Sequence, residues 1–140
     1  MNFTVQKPYL THSATMLLLK TAVNAAEKMK QPQCIVIVDT SGELLGEIRM
    51  DGAKYLSRKS AAAKALTAAS IGAPSINIPD HIRVQIGLAT DGKVTGLPGG
   101  LPIIIDGDLV GAIGVGSGTG EQDIEVAAAA LVAIGAQTVF

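Results

Sequence analysis

Residues 101–106 and 109–116 are two apolar, β-branched runs that flank the dipeptide Gly107-Asp108. A Gly-Asp pair between such runs marks a tight hairpin turn. An earlier pair repeats the pattern: residues 34–38 form a continuous β-branched run ended by Asp39-Thr40-Ser41-Gly42, and residues 44–50 alternate loosely after it. Connections this short join antiparallel neighbours, because parallel strands need a crossover of about a dozen residues or more. The two hairpins therefore predict an antiparallel sheet in an α+β domain and argue against a doubly wound parallel sheet.

Three helical stretches surround the hairpins. Met16, Leu19, Val23, Ala26 and Met29 recur at intervals of three or four after Thr11, and Lys28, Lys30 and Pro32 supply stop signals, so a helix is expected over 11–29. Residues 54–71 are dominated by Ala, Leu and Lys and close on Gly72 and Pro74, which predicts a second helix. Thr119-Gly120-Glu121-Gln122 matches a capping box, opening a third helix that runs through Ile134 and stops at Gly135. Residues 126–134 of that helix are apolar nearly all the way round, so both of its sides need covering, with a second subunit as one candidate cover. Between these elements, Pro79-Asp80 is placed to start a short helix through Ile86, and the stretch around Val94 reads as either a strand or part of a long loop.

Composition narrows the function classes. A chain of 140 residues fits one domain, 1–140, and 48% hydrophobic against 16% charged residues excludes whole-chain disorder. Net charge is −1 and there are only two Tyr, two Phe and no Trp, which speaks against nucleic acid and anionic membranes as partners. The single cysteine, Cys34, suits a reducing compartment, and with only His12 and His81 beside it a four-ligand structural zinc site is not expected. No leader-like N-terminus and no apolar stretch of 18 residues is present, so the expectation is a soluble, cytoplasmic protein.

Several groups are candidates for chemistry. The stretch 114–120 has glycine at four of its seven positions, but Thr119 and Glu121 stand where a dinucleotide fingerprint needs glycine, and no P-loop Lys-Ser or Lys-Thr follows. His12 falls in the first turn of the first helix, where an imidazole can ligate iron or simply meet solvent. Arg49, at a strand end, can clamp a carboxylate or form a surface ion pair with Asp51. Ser57, Ser60 and Lys64 at i, i+3 and i+7 share one helix face, a polar strip that lines a pocket or faces water. Gly99 and Gly100 lie between two prolines in 97–102, a bend open enough to floor a pocket or only a turn into the next strand. No nucleophile stands out: there is no G-x-S-x-G elbow, and Cys34 lies within an apolar strand.

Arg49-Met50-Asp51-Gly52-Ala53, Lys64-Ala65, Leu97-Pro98-Gly99-Gly100-Leu101-Pro102, Asp106-Gly107, the stretch 110–119 and Glu121-Gln122-Asp123, in this order and spacing, resemble the GlcG/HbpS family over essentially the whole chain. The resemblance implies an antiparallel five-stranded sheet with packed helices, profilin-like in outline, in a homo-oligomer. Members include extracellular haem-binding sensors, the haem-binding C-terminal domain of some corrinoid adenosyltransferases, and a cofactor-free lyase acting on an arylhydroxylamine. It implies His12 as the haem iron ligand, and Arg49, Asp51, Lys64, Gly99, Gly100, Thr119 and Glu121 as a small-ligand site. The leading expectation is thus a protein that binds haem or a related tetrapyrrole, with Arg49 or Lys64 neutralising propionates. An alternative is a cofactor-free lyase or isomerase on a small carboxylate or aromatic catabolite, in which Arg49 or Lys64 holds the carboxylate and Asp51 or Glu121 moves a proton. A third is a structural or regulatory subunit that docks through the last helix.

Overall fold

The computed structural model describes the whole chain, Met1 to Phe140. In order, the elements are α1 (His12–Lys28), β1 (Cys34–Val38), β2 (Leu44–Arg49), α2 (Ser57–Ile71), α3 (Arg83–Ala89), β3 (Gly100–Ile105), β4 (Asp108–Gly116) and α4 (Gly120–Ala133). Two single 3-10 turns, Ser75–Asn77 and Asp80–Ile82, precede α3. The strands form one antiparallel sheet in the order β2-β1-β4-β3, so each expected hairpin forms and the two join through β1 and β4.

Two expectations need correction. The sheet has four strands, not five. Around Val94 the chain stays a loop because side-chain hydroxyls take its backbone donors: Thr90 Oγ1 accepts from Val94 N, Thr67 Oγ1 from Thr95 N and Thr95 Oγ1 from Leu97 N. A segment whose amides are already bonded this way has few left for a sheet edge. The β3–β4 turn is Asp106-Gly107 rather than Gly107-Asp108. Both residues have positive φ, 51° and 83°, the conformation of a type I′ turn, which matches the right-handed strand twist.

The helix ends follow from local chemistry. Thr11 caps α1 by accepting from Ala14 N, and Thr119 and Gln122 form the expected reciprocal capping box on α4. At the far end of α4, Gly135 adopts φ 66° while Ala136 N bonds Leu131 O and Gly135 N bonds Val132 O, a Schellman closure. α1 closes in the same way with Lys30 at φ 55°.

Three layers result. α2 alone covers one face of the sheet, where Cys34, Val36, Val38 and Ala112 meet Ala61, Ala65, Ala68 and Ala69. On the other face α1 and α4 pack side by side over Ile35, Ile37, Leu101, Ile103, Ile113 and Val115, with Leu18, Val126 and Leu131 wholly buried. The second cover that α4 needs is thus supplied by α1 of the same chain, and Val132 stays exposed.

Candidate functional site

Small residues set how α2 sits. Gly100 and Gly114 are direct cross-strand partners. A Cβ on Gly114 would run into Ala61 O, and one on Gly100 into Lys64 O. With no side chains between them, helix and sheet approach backbone to backbone. This draws Lys64, on the buried stripe of α2 with Ala61, Ala65 and Ala68, across the end of the sheet toward the start of α4.

There it meets Asp123. The Lys64 ammonium donates to Asp123 Oδ2 at 2.9 Å and to Val115 O at 2.8 Å, and both side chains are almost fully buried. The other carboxylate oxygen, Oδ1, accepts from Gly118 N at 3.1 Å. A buried ion pair is sustained by further hydrogen bonds to its atoms, and this one has two, from Lys64 to Val115 O and from the Gly118 amide to Oδ1. Gly99, at φ 122°, wedges against it: a Cβ there would lie 2.6 Å from Val115 O and 2.8 Å from Asp123 Cβ. Around the pair lies a cavity of about 290 Å³, walled also by Lys54, Ser57, Ser60 and Ser117. Lys54 is held there twice, through its backbone N to Ser117 Oγ at 2.9 Å and its ammonium to Ser117 O at 3.1 Å. Ser117 has φ 104°, a conformation uncommon for any residue but glycine. Behind it, Gln33 is wholly buried; its Oε1 accepts from Gly118 N while its Nε2 has no partner.

The other expected site residues lie elsewhere. Lys64, Gly99 and Gly100 come together, but the Lys64 amine is committed to Asp123 and buried, so it does not stand free to clamp a propionate. Arg49 and Asp51 line a different recess of about 460 Å³ between the end of α1 and the end of β2, with Val23, Lys30 and Met50. They form no ion pair with each other; the surface pair on this side is Arg58 with Glu47, at 3.9 Å. The Thr119 hydroxyl is used as the cap of α4. Glu121 and Asp51 are exposed, so neither is a buried group set up for proton transfer. His12 is exposed on the first turn of α1, roughly 25 Å along a 17-residue helix from the end of α1 nearest Ser117. Burial pushes the Cys34 thiol up, against the opposing pull of Arg49 and Arg58, and leaves it an inert packing group.

His12 heads a stripe. Met16, Leu19 and Val23 follow at i+4, i+7 and i+11, along the flank of α1 that runs beside edge strand β2. Leu19 lies over Gly46, where a Cβ would be 3.0 Å from its Cδ1, and Val23 shares the recess wall with Ile48. Met16 is 67% and Ile48 41% exposed, so this flank is an open apolar wall with one imidazole at its end.

From the sequence, Asp123 figures only within the motif Glu121-Gln122-Asp123, with no role of its own. The signal that marks it is its spacing: Asp123, Val126, Ala127 and Ala130 stand at i, i+3, i+4 and i+7, the buried stripe of α4. A carboxylate on that stripe requires a buried cation, and Lys64 stands on the corresponding stripe of α2.

Residues 10–132 match the family described as haem degrading protein HbpS-like. Over 126 residues the chain is 32% identical to the corrinoid adenosyltransferase PduO of Salmonella typhimurium, an alignment covering 86% of this chain and 38% of that enzyme. The chain therefore spans well under half the length of that relative. Among solved structures, the Klebsiella pneumoniae protein ORFY superposes with a TM-score of 0.92 at 27% identity, covering 98% of both chains. PduOC in its haem complex superposes at 0.87 with 28% identity, covering 95% of this chain and 100% of that one. A match that takes in everything from Leu10 to Val132, and so all four strands and four helices but the last residue of α4, makes this chain a member of the HbpS-like family.

Proposed function

We propose that this protein binds haem or a related tetrapyrrole on the outer flank of α1, with His12 as the iron ligand. The observation that carries the reading is the exposed imidazole at the head of the Met16–Leu19–Val23 stripe, on an apolar wall that nothing in the chain covers. The donor set favours haem over a bare ion. No group of three or more His, Cys, Asp or Glu side chains converges anywhere in the chain, whereas a porphyrin brings four nitrogens of its own and asks the protein for one imidazole. Bound there, the group would supply an iron centre for redox or oxygen chemistry. The residues that would hold it are His12, through its imidazole, and Met16 and Leu19, through apolar contact. Family membership and the haem complex of PduOC support the same reading.

One chain provides one wall. The exposed edge strand β2, with Leu44, Leu45 and Ile48 unburied, makes self-association part of this proposal, since a second copy would cover both the edge and the outer porphyrin face. The lyase or isomerase reading lacks the buried proton-transfer group it requires among Asp51 and Glu121.

Titration with hemin tests the proposal. The expected result is a Soret band that saturates at one equivalent per chain and is lost or shifted to free hemin in His12→Ala, while far-ultraviolet circular dichroism stays unchanged. An identical Soret band in the variant would overturn the ligand assignment.

A further inference from the structure

We propose that the cavity between the first turn of α2 and the N-terminus of α4 is a second binding site, specific for a small carboxylate, distinct from the haem flank. Its charged lining is Lys54, Lys64 and Asp123, which leaves one net positive charge facing the cavity. Asp123 does not repel an anion there, because Lys64 takes Oδ2 and the Gly118 amide takes Oδ1. Lys64 has three ammonium protons and two acceptors, Asp123 and Val115 O, so its third proton is unassigned in a residue that lines the cavity. Lys54 likewise keeps ammonium protons beyond the one it gives Ser117 O.

The independent mark of a ligand is Ser57. It is 2% exposed and lines the cavity, yet its hydroxyl has no hydrogen-bond partner within the chain. Gln33 Nε2 is the one fully buried side-chain polar atom left unbonded, so the Ser57 hydroxyl is not sealed off but stands free at the cavity wall. Ser60, one turn on, bonds Ser57 O at a long 3.4 Å and can turn its hydroxyl to a ligand. One uncommitted ammonium, the remaining Lys64 proton and two hydroxyls around some 290 Å³ suit a carboxylate carrying an adjacent hydroxyl or keto oxygen: Lys54 takes the carboxylate, and the serines with the Lys64 proton take the neighbouring oxygen. Ser117, held at φ 104° in the same wall, fits a site where strain is retained for function.

The test is a titration with lactate at constant ionic strength, followed by amide chemical shifts, with acetate and inorganic phosphate as comparison anions. Expected are saturable shifts at Ser57, Ser60, Ser117 and Gly118, with lactate tighter than acetate. Lys54→Gln, an exposed and conservative change, should weaken lactate by about tenfold or more, the loss of one charge-assisted bond. Ser57→Ala should weaken lactate several-fold and leave acetate nearly unchanged. His12→Ala should titrate like wild type, which separates this site from the haem proposal. No saturable shift at these amides, unaltered lactate binding in both Lys54→Gln and Ser57→Ala, or saturation by phosphate but not by lactate would each overturn the carboxylate assignment.

Discussion

The two faces of the sheet solve the same packing problem in opposite ways. Beneath α1 and α4 the sheet presents Ile35, Ile37, Ile103, Ile113 and Val115, and the helices answer with Leu18, Val126 and Leu131. Beneath α2 it presents Gly100, Gly114 and Ala112 beside Val36 and Val38, and the helix answers only with small residues, Ala61, Ala65 and Ala68. Large side chains hold their layers apart and gain by burying area, each about 1.5–3 kcal/mol. Small ones let backbone meet backbone and leave no room for growth. The difference teaches why the polar cavity lies where it does: only the thin layer brings a helix close enough for a buried lysine to reach over the sheet end to Asp123.

Breaking that reach has the largest expected effect. Lys64→Met leaves Asp123 buried without its counterion and should lower stability by about 3–5 kcal/mol in urea unfolding, with much of the loss recovered when Asp123→Leu is added. If the single variant is as stable as wild type, the pair does not bridge the layers. On the thick side, Leu131→Ala should cost about 2–5 kcal/mol by opening a cavity. The thin side should fail in the opposite direction: Gly114→Ala, harmless wherever space exists, should cost about 1–3 kcal/mol because the methyl group meets Ala61 O. A neutral Gly114→Ala would show that α2 stands off the sheet and would erase the contrast.

The smallest effect sharpens the same comparison through pH. Cys34 packs in the thin layer, 1% exposed, with its thiol pushed up by burial. A group whose pKa is higher folded than unfolded gives stability that is whole below its unfolded pKa and is lost as pH rises through the folded value. Wild type should therefore lose stability from about pH 8.5 upward more steeply than Cys34→Ala. Parallel pH profiles for the two proteins would place the thiol in contact with water.

Both hairpins, three long helices and the Thr119 capping box were legible because each rests on local chemistry: β-branched runs, a glycine turn, and a Thr-x-x-Gln pattern before an apolar stripe. The hairpin turn slipped by one residue because Asp106, which takes the left-handed conformation with Gly107, also reads as the end of a β-branched run. The fifth strand came from resemblance; around Val94 the chain stays a loop through the local hydroxyls of Thr90 and Thr95 and through Thr67 Oγ1, and only the last lies beyond a window of sequence. At the site, the Ser57-Ser60-Lys64 strip was visible from helix spacing and does line a cavity. Its partner Asp123 and the orphaned Gln33 come from elements far along the chain, and nothing local announces that they converge. The expected single recess divides for the same reason: Arg49 and Lys64 are near in the motif order but lie against different hollows.

The central claim is that the imidazole flank of α1 takes the porphyrin and the α2–α4 cavity does not. Amide spectra of the isotopically labelled protein with one equivalent of hemin test it directly, because paramagnetic iron broadens only nearby signals. The account predicts loss of the resonances of His12, Ser13 and Met16 with those of Ser57, Ser117 and Gly118 intact. Broadening centred on Ser57 and Gly118, or none anywhere, would contradict it.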